Sequence, residues 1–145
     1  MILEINSTQT YAIRKPILRA NQTLESCFLD NDNAKTTHHF GFFDNNVLVG
    51  VVSIFENSCI YFNDIAQHQV RAMAVLESHQ KLNIGSLLLT HCCKFISQNG
   101  GNFIWLNSRI TAVDFYLKNY FLATNHYFEI PEIGKHLLMF KRLVD

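Results

Sequence analysis

The fold is decided by a seven-residue stretch that lies between a strand-like run and a helical run, Gln80-Lys81-Leu82-Asn83-Ile84-Gly85-Ser86. Residues 69–76 form the strand-like run, and apolar residues recur at helical spacing over residues 84–96. A tight loop that enters a helix points free backbone N–H groups at one place, and the helix dipole adds to their attraction for an anion. The stretch therefore predicts a pyrophosphate-binding loop, with an ordinary helix N-terminus as the structural alternative.

Outward from this loop, the sequence predicts alternating strands and helices without a repeat or a flexible linker. The predicted strands span residues 2–5, 38–43, 47–55, 69–76, 103–106, 124–130 and 136–143. The predicted helices span residues 8–19, 84–96 and 111–119, and a short helix is compatible with residues 24–29. This order predicts one domain over residues 1–145, with a mixed α/β sheet, a largely antiparallel first half and a helical crossover after residue 76.

Three local details of these elements are also predicted. The first helix should be interrupted or bent near Pro16, because proline removes a backbone hydrogen bond from a helix. The last helix should begin with Thr111 as its N-cap. In the strand over residues 69–76, alternation places four residues on one face, namely Val70, Ala72, Ala74 and Leu76.

Composition narrows the class of function. Hydrophobic residues make up 48% of the chain and charged residues 17%, which is typical of a globular protein. Twelve basic and twelve acidic residues give a formal net charge of zero, which argues against a nucleic-acid partner held by bulk charge. No apolar run is long enough for a membrane span, and residues 1–6 lack the pattern of a signal peptide, so we expect a cytoplasmic protein. We expect its four cysteines to be reduced, although they could form two disulfides.

Further segments resemble one known family. The loop is similar to the Gln/Arg-x-x-Gly-x-Gly/Ala pyrophosphate loop of the GCN5-related N-acetyltransferases (GNAT), with Asn83 in place of the first glycine. Asparagine is the next most tolerant residue at positive φ. Residues 11–22, 71–77, 105–116 and 127–139 also resemble the family, so the similarity runs nearly from end to end. Within the family they are most similar to the subgroup of glyphosate N-acetyltransferase, in which a Pro and a Gly are usual where this chain has Lys135 and Tyr120.

The resemblance implies a GNAT fold, in which a mixed, mostly antiparallel central sheet of about six to seven strands is flanked by helices. It also implies an enzyme that moves an acetyl group from acetyl-CoA to an amine, directly in a ternary complex and with no metal. Backbone groups would bind the co-substrate, and an N–H near Met73 would polarise its thioester carbonyl. The residues implied in cofactor binding are Met73, Ala74, Val75, the loop residues Gln80, Lys81, Leu82, Asn83, Ile84, Gly85 and Ser86, and Asn107.

Two residues are candidates for proton transfer. By resemblance, His136 lies at the start of the last strand beside the substrate amine, and an imidazole titrates near neutral pH, which suits a general base. Tyr116 is the candidate general acid for the thiolate of coenzyme A, because a phenol can donate a proton without first carrying a charge. The structural alternatives are a buried or surface histidine and an aromatic residue on the buried face of a helix.

Three of the five arginines are candidates for substrate binding. Arg19, Arg71 and Arg109 coincide with the positions that bind the anionic substrate in the resembled subgroup. A guanidinium group binds a carboxylate or a phosphonate through two parallel hydrogen bonds. The resemblance therefore predicts a small anionic amine as acceptor, of the amino acid or aminophosphonate type. Structural salt bridges are the alternative for each of them.

Two other functions stay open at this point. The chain could acetylate the N-terminus of a peptide, or it could bind acyl-CoA without catalysis. Neither the physiological amine nor the acceptance of glyphosate follows from the sequence. The chain could be a monomer or a homodimer.

Overall fold

The computed structural model describes residues 1–143. Short 3₁₀ turns lie at Leu24–Cys27, Glu77–His79 and Ile110–Ala112. The helices and strands, in chain order, are β1 (Ile2–Ile5), α1 (Ser7–Leu18), β2 (His38–Asp44), β3 (Val47–Glu56), β4 (Gln67–Val75), α2 (Ile84–Gln98), β5 (Phe103–Arg109), α3 (Val113–Lys118), β6 (Leu122–Ile130) and β7 (Gly134–Arg142).

One seven-stranded sheet organises the molecule, in the order β1-β2-β3-β4-β5-β7-β6. Every neighbouring pair is antiparallel except β4 and β5, which are parallel. Helix α2 makes the crossover between these two strands, as a parallel connection requires. The prediction of a mixed, mostly antiparallel α/β sheet of six to seven strands flanked by helices is therefore confirmed.

Helices cover both faces of the sheet. On one face, α2 buries Leu88, Cys92 and Ile96 against strand residues that include Ile54 and Ile104. On the opposite face, α1 packs Ile13 against Val51 and Ala74. The alternation of side chains along each strand supplies apolar residues to both layers. The central strands are consequently buried on both sides, and the functional residues must lie where a strand ends or opens.

Two predicted helix details differ from the structure. Of the predicted interruption or bend near Pro16, the interruption is wrong, because helix α1 continues through Pro16 to Leu18. The proline lies in the last turn, where the helix loses only one hydrogen bond. Thr111 is not the N-cap of α3, because it belongs to the preceding 3₁₀ turn and the helix begins at Val113 without a side-chain cap.

Strand β4 contains a bulge at Ala72, whose φ is +53°. Arg71 pairs with Ser53 and Ala74 pairs with Val51, so two residues of β4 lie opposite one residue of β3. The extra residue reverses the alternation, and Val70 and Ala74 pack on opposite faces of the sheet. The predicted common face of Val70, Ala72, Ala74 and Leu76 is therefore wrong.

Strands β4 and β5 pair only along their first three residues, from Gln67 with Phe103 to Gln69 with Trp105. Beyond Gln69, the edge of β4 that faces β5 has no strand partner, and the two strands diverge. A bulge bends the strand that contains it and increases its twist, which accounts for the divergence. The sheet therefore opens into a cleft near its middle.

The structure also describes the cysteines and the character of the helices. Each of the four cysteines is a free thiol. Within residues 1–143, no helix combines the length and the apolar character needed to cross a membrane.

Candidate active site

The cleft between the diverging strands has a volume of about 210 Å³. Its walls come from β4, β5, β7, α3 and the chain that follows α1. Seven of the residues predicted for the site line it, namely Arg19, Arg71, Met73, Asn107, Arg109, Tyr116 and His136. Residues that are far apart in the sequence thus meet where β4 and β5 separate.

The remaining predicted residues lie outside the lining of this cleft. Ala74 and Val75 are the last two residues of β4. The loop over residues 80–86 follows, and the side chain of Gln80 donates to the carbonyl oxygen of Val75. In this loop, Lys81 and Asn83 have φ values of +65° and +68°. Asn83 precedes α2 without capping it through its side chain, which leaves the first backbone N–H groups of the helix available to a ligand.

Gly85 has a packing role that the sequence did not indicate. A Cβ atom at this position would lie 3.2 Å from Cζ of Phe115 in α3. Because glycine has no side chain, α2 and α3 can approach each other closely at this position. Because α3 carries Tyr116, this contact connects the loop to the cleft.

His136 lies on β7 directly opposite Arg109 of β5, and only 5% of it is exposed. Its Nδ1 atom lies 2.8 Å from the carbonyl oxygen of Gly134, and its ring stacks on Phe128. A carbonyl oxygen can only accept a hydrogen bond, so Nδ1 must carry the proton of the neutral imidazole. The lone pair is then on Nε2, which bonds to no other residue in the described chain. This tautomer suits a proton acceptor.

Tyr116 contributes both to the core and to the cleft. Its ring packs against Phe115 and Phe121 at centroid distances of 5.1 and 5.7 Å. Burial raises the pKa of Tyr116, so the phenol keeps its proton. A neutral phenol that lines the cleft has the protonation state that a general acid needs.

Within residues 1–143, the three candidate arginines have no acidic partner. Arg19 and Arg109 each donate to the carbonyl oxygen of Leu18, at 3.0 and 3.1 Å. The Arg71 guanidinium lies 5.7 Å from the centre of the Phe55 ring. Among residues 1–143, none of the three forms an ion pair with a carboxylate. Structural salt bridges therefore do not account for them.

Burial dominates the electrostatic environment of Arg19 and Arg71. Burial, and then the neighbouring Arg109, lower the pKa of Arg19. Burial, and then Arg14, lower the pKa of Arg71, while the nearby Asp32 and Asp30 oppose this effect. Both groups remain protonated at neutral pH, because an arginine starts from a pKa above 12. The cleft thus holds converging positive charge that an anion would neutralise.

A buried polar cluster behind the cleft was missed by the sequence-based reasoning. Arg14 is 1% exposed and donates to both carboxylate oxygens of Asp32, at 2.8 and 3.1 Å. It also donates to Oγ of Ser53, which lies 2.6 Å from Nδ1 of His39. The cluster ties residues 20–37 to the sheet, and Leu29 of that segment lines the cleft. The position of Arg14 next to Ile13, on the buried side of α1, was the only available signal.

Comparisons with known proteins agree with this arrangement. The model of the Acetyltransferase (GNAT) family matches residues 2–121. The "Uncharacterized N-acetyltransferase YitI" of Bacillus subtilis (strain 168) is 31% identical over 139 residues, which cover 96% of this chain and 93% of that protein.

Solved structures share the fold at low sequence identity. An aminoglycoside 6'-N-acetyltransferase complexed with coenzyme A has a TM-score of 0.80 at 14% identity, covering 100% of this chain and 98% of that chain. The ribosomal-protein-S18-alanine N-acetyltransferase of Escherichia coli has a TM-score of 0.76 at 14% identity, covering 100% of this chain and 94% of that chain. With a family model that spans most of its length and a divided sheet of the same architecture, this chain belongs to the GNAT family of acetyl-CoA-dependent acetyltransferases.

Proposed function

We propose that this enzyme acetylates the amine of a small anionic acceptor of the amino acid or aminophosphonate type. One observation carries the proposal: Arg19, Arg71 and Arg109 line the same cleft as His136, without a carboxylate partner in the described chain. The three arginines are half-buried, and a half-buried cluster of guanidinium groups without a carboxylate partner indicates a site for an external anion. The cleft of about 210 Å³ is smaller than the pockets of about 300–1,000 Å³ that hold drug-sized ligands, which favours a small acceptor.

The chain offers suitable groups for the co-substrate. Acetyl-CoA supplies the acetyl group as a reactive thioester. Residues 73–75 present backbone groups along the unpaired edge of β4, where the amides of the pantetheine arm would bind. The N–H groups at the start of α2 would bind the pyrophosphate, and the Asn107 side chain would add a hydrogen bond in the cleft.

In the proposed mechanism, His136 accepts one proton and Tyr116 donates one. Nε2 of His136 removes the proton of the acceptor amine as the nitrogen attacks the thioester carbonyl. The neighbouring guanidinium groups favour this step, because positive charge lowers the pKa of a nearby ammonium. The backbone N–H near Met73 polarises the carbonyl, and the phenol of Tyr116 returns a proton to the leaving thiolate.

Direct transfer is favoured over a covalent enzyme intermediate. Burial raises the pKa of the Cys92 thiol and of the Cys93 thiol, so neither is poised as a thiolate nucleophile. Neither cysteine lines the cleft. In this proposal, the acceptor and acetyl-CoA are bound at the same time.

The positive charge of the cleft also favours an anionic acceptor over a cationic one. The structural relatives include enzymes named for aminoglycosides and for a ribosomal protein. An aminoglycoside is polycationic, and three unpaired arginines would repel it. The predicted resemblance to the glyphosate N-acetyltransferase subgroup makes glyphosate an acceptor worth testing, although a synthetic compound cannot be the selected substrate.

The test is thiol release from acetyl-CoA with a panel of amines. The panel contains aspartate, glutamate, aminophosphonates, glyphosate, neutral amino acids, an aminoglycoside and a short peptide. A reaction without acceptor corrects for the four enzyme cysteines. We expect turnover to favour the anionic amines. Turnover that favours the aminoglycoside or the peptide would overturn the proposed substrate class, and binding of acetyl-CoA without any turnover would indicate a non-catalytic module.

A further inference from the structure

Gln69 is a buried polar residue of the cleft that the proposed chemistry does not use. It lies on β4 two positions before Arg71, so both side chains project from the same face of the strand. Only 6% of Gln69 is exposed. It lines the cleft, and together with Arg71 it also lines a neighbouring groove beside Phe55. Gln69 therefore forms part of the wall between the two.

The side-chain amide of Gln69 is engaged at its oxygen. Its Oε1 atom accepts a hydrogen bond of 3.0 Å from Nδ2 of Asn57. The backbone carbonyl of Asn57 in turn accepts a bond of 2.8 Å from Nε1 of Trp105, which is the β5 residue that pairs with Gln69. With its oxygen engaged in this way, Gln69 directs its NH₂ group away from Asn57.

This NH₂ group donates to no acceptor among residues 1–143. It is also not sealed inside the protein, since Nε of Arg14 is the only fully buried side-chain nitrogen or oxygen without a partner in the described part of the chain. A donor on a nearly buried side chain that lines the cleft, two positions before an arginine without a carboxylate partner in the described chain, has the features of a ligand contact.

We propose that Gln69 determines specificity for the acceptor, by donating a hydrogen bond from Nε2 to an oxygen of the anionic group that Arg71 binds. The inference rests on the proposed function. A carboxylate or phosphonate offers more acceptor positions than one guanidinium can use, so the amide fixes which oxygen faces which donor. A site that presents such a donor disfavours an acceptor without an oxygen there, because the donor would stay unpaired.

The test compares two variants of Gln69 with the wild type. Gln69→Glu keeps the shape of the side chain and its bond from Asn57, but replaces the donor by a negative charge. Gln69→Met keeps the length of the side chain and removes the donor. Gln98→Glu is the matched control, since Gln98 is an exposed residue at the end of α2. The measurements are kcat and KM for the preferred anionic amine, and the Kd of acetyl-CoA by calorimetry, which reports whether each variant is folded.

We expect Gln69→Glu to raise the acceptor KM by about 30-fold or more and Gln69→Met to raise it by about tenfold. The Kd of acetyl-CoA should not change in either variant, and Gln98→Glu should behave as the wild type. An unchanged acceptor KM in both folded variants would overturn the role of Gln69 alone. A wild-type enzyme that acetylates no anionic amine would overturn the proposed function, and this inference with it.

Discussion

Arg19 and Arg109 donate to the same oxygen atom, the backbone carbonyl of Leu18. Arg19 follows the end of α1 and Arg109 ends β5, so the fold brings two like charges to one point. One carbonyl cannot neutralise two guanidinium groups. The arrangement is therefore electrostatically unfavourable in the empty cleft, and the anionic acceptor proposed above would relieve the repulsion.

The first prediction concerns Arg109. Replacing it by alanine should raise KM for the anionic acceptor by about tenfold to a hundredfold, because the hydrogen bonds of a charged group usually contribute that much to binding. Steady-state kinetics with the best acceptor of the panel measures this change. Arg142→Ala is the matched control, because Arg142 forms an exposed ion pair with Asp64 outside the cleft. Equal KM values for Arg109→Ala and the wild type would count against the anion site.

The second prediction concerns the proton acceptor. His136→Ala should lower kcat by about a hundredfold or more, because general base catalysis is lost. His126→Ala serves as the control, since His126 is exposed and stacks on Tyr61. Both variants are assayed for thiol release at saturating acceptor. If the His136 variant keeps the kcat of the wild type, the base must be sought elsewhere.

The third prediction separates the two roles of Tyr116. Tyr116→Phe keeps the ring packing against Phe115 and Phe121, so the thermal unfolding midpoint should hardly change. Loss of the hydroxyl should still lower kcat by at least about tenfold, because the thiolate loses its proton donor. Calorimetry and kinetics on the same preparation give both values. A normal kcat would leave Tyr116 with a packing role only.

The fourth prediction is a pH dependence of stability from His39. Burial is the main cause that lowers the pKa of His39 below 6.5, and Arg14 adds to it, although a bond to the carbonyl of Asp32 opposes the shift. The unfolded chain therefore binds the proton more readily than the folded one. The stability that neutral His39 contributes is complete above about pH 6.5 and is lost as the pH falls towards the folded value, by at most about 1.4 kcal/mol per pH unit.

Urea unfolding at a series of pH values between 7 and 5 measures this effect. In the wild type, the free energy of unfolding should decrease as the pH is lowered from 7 to 5. The decrease should be smaller in His39→Gln. A parallel fall in both proteins would show that other groups cause the acid sensitivity.

The fifth prediction concerns Tyr120, which has a φ of +68° after α3 and is 80% exposed. The N–H groups of Tyr120 and Phe121 bond to the carbonyls of Leu117 and Tyr116, which is the pattern of a Schellman helix end. Tyr120→Gly should stabilise the protein by about 0.5–1 kcal/mol, because glycine adopts this conformation without strain. Thermal unfolding should show a midpoint raised by roughly 1–4 °C.

Tyr127→Gly provides the contrast for Tyr120, because Tyr127 lies in the extended strand β6 and is also exposed. Glycine weakens a strand, so this variant should lower the midpoint. Equal effects of the two substitutions would show that the backbone conformation of Tyr120 is not strained.

The sequence was most informative where local chemistry dictates the structure. The loop over residues 80–86 was predicted from its own residues, and the positive φ of Asn83 agrees with the asparagine that stands at a usual glycine position. The turn between β2 and β3 is equally local, because Asn45 and Asn46 both have positive φ, which asparagine tolerates. Short-range signals of this kind do not depend on the rest of the chain.

Features that depend on contacts between distant parts of the chain could not be predicted from the sequence. Nothing local marks Ala72 as a bulge, because alanine has no preference for positive φ and the bulge depends on pairing with β3. Asp32 lies in a polar segment, and its pairing with Arg14 appears only when α1 packs on the sheet. Gln69 looks like an ordinary strand residue until the separation of β4 and β5 exposes its amide.

The bulge at Ala72 also bears on how the protein avoids unwanted association. A strand with free backbone groups at the periphery of a sheet can recruit other chains and start aggregation. Here the free edge of β4 faces inwards, with β5 on the other side of the opening, so its free backbone groups do not lie at the periphery of the sheet. One extra residue in β4 thus gives the sheet an inward-facing edge that keeps free backbone groups and is shielded from self-assembly.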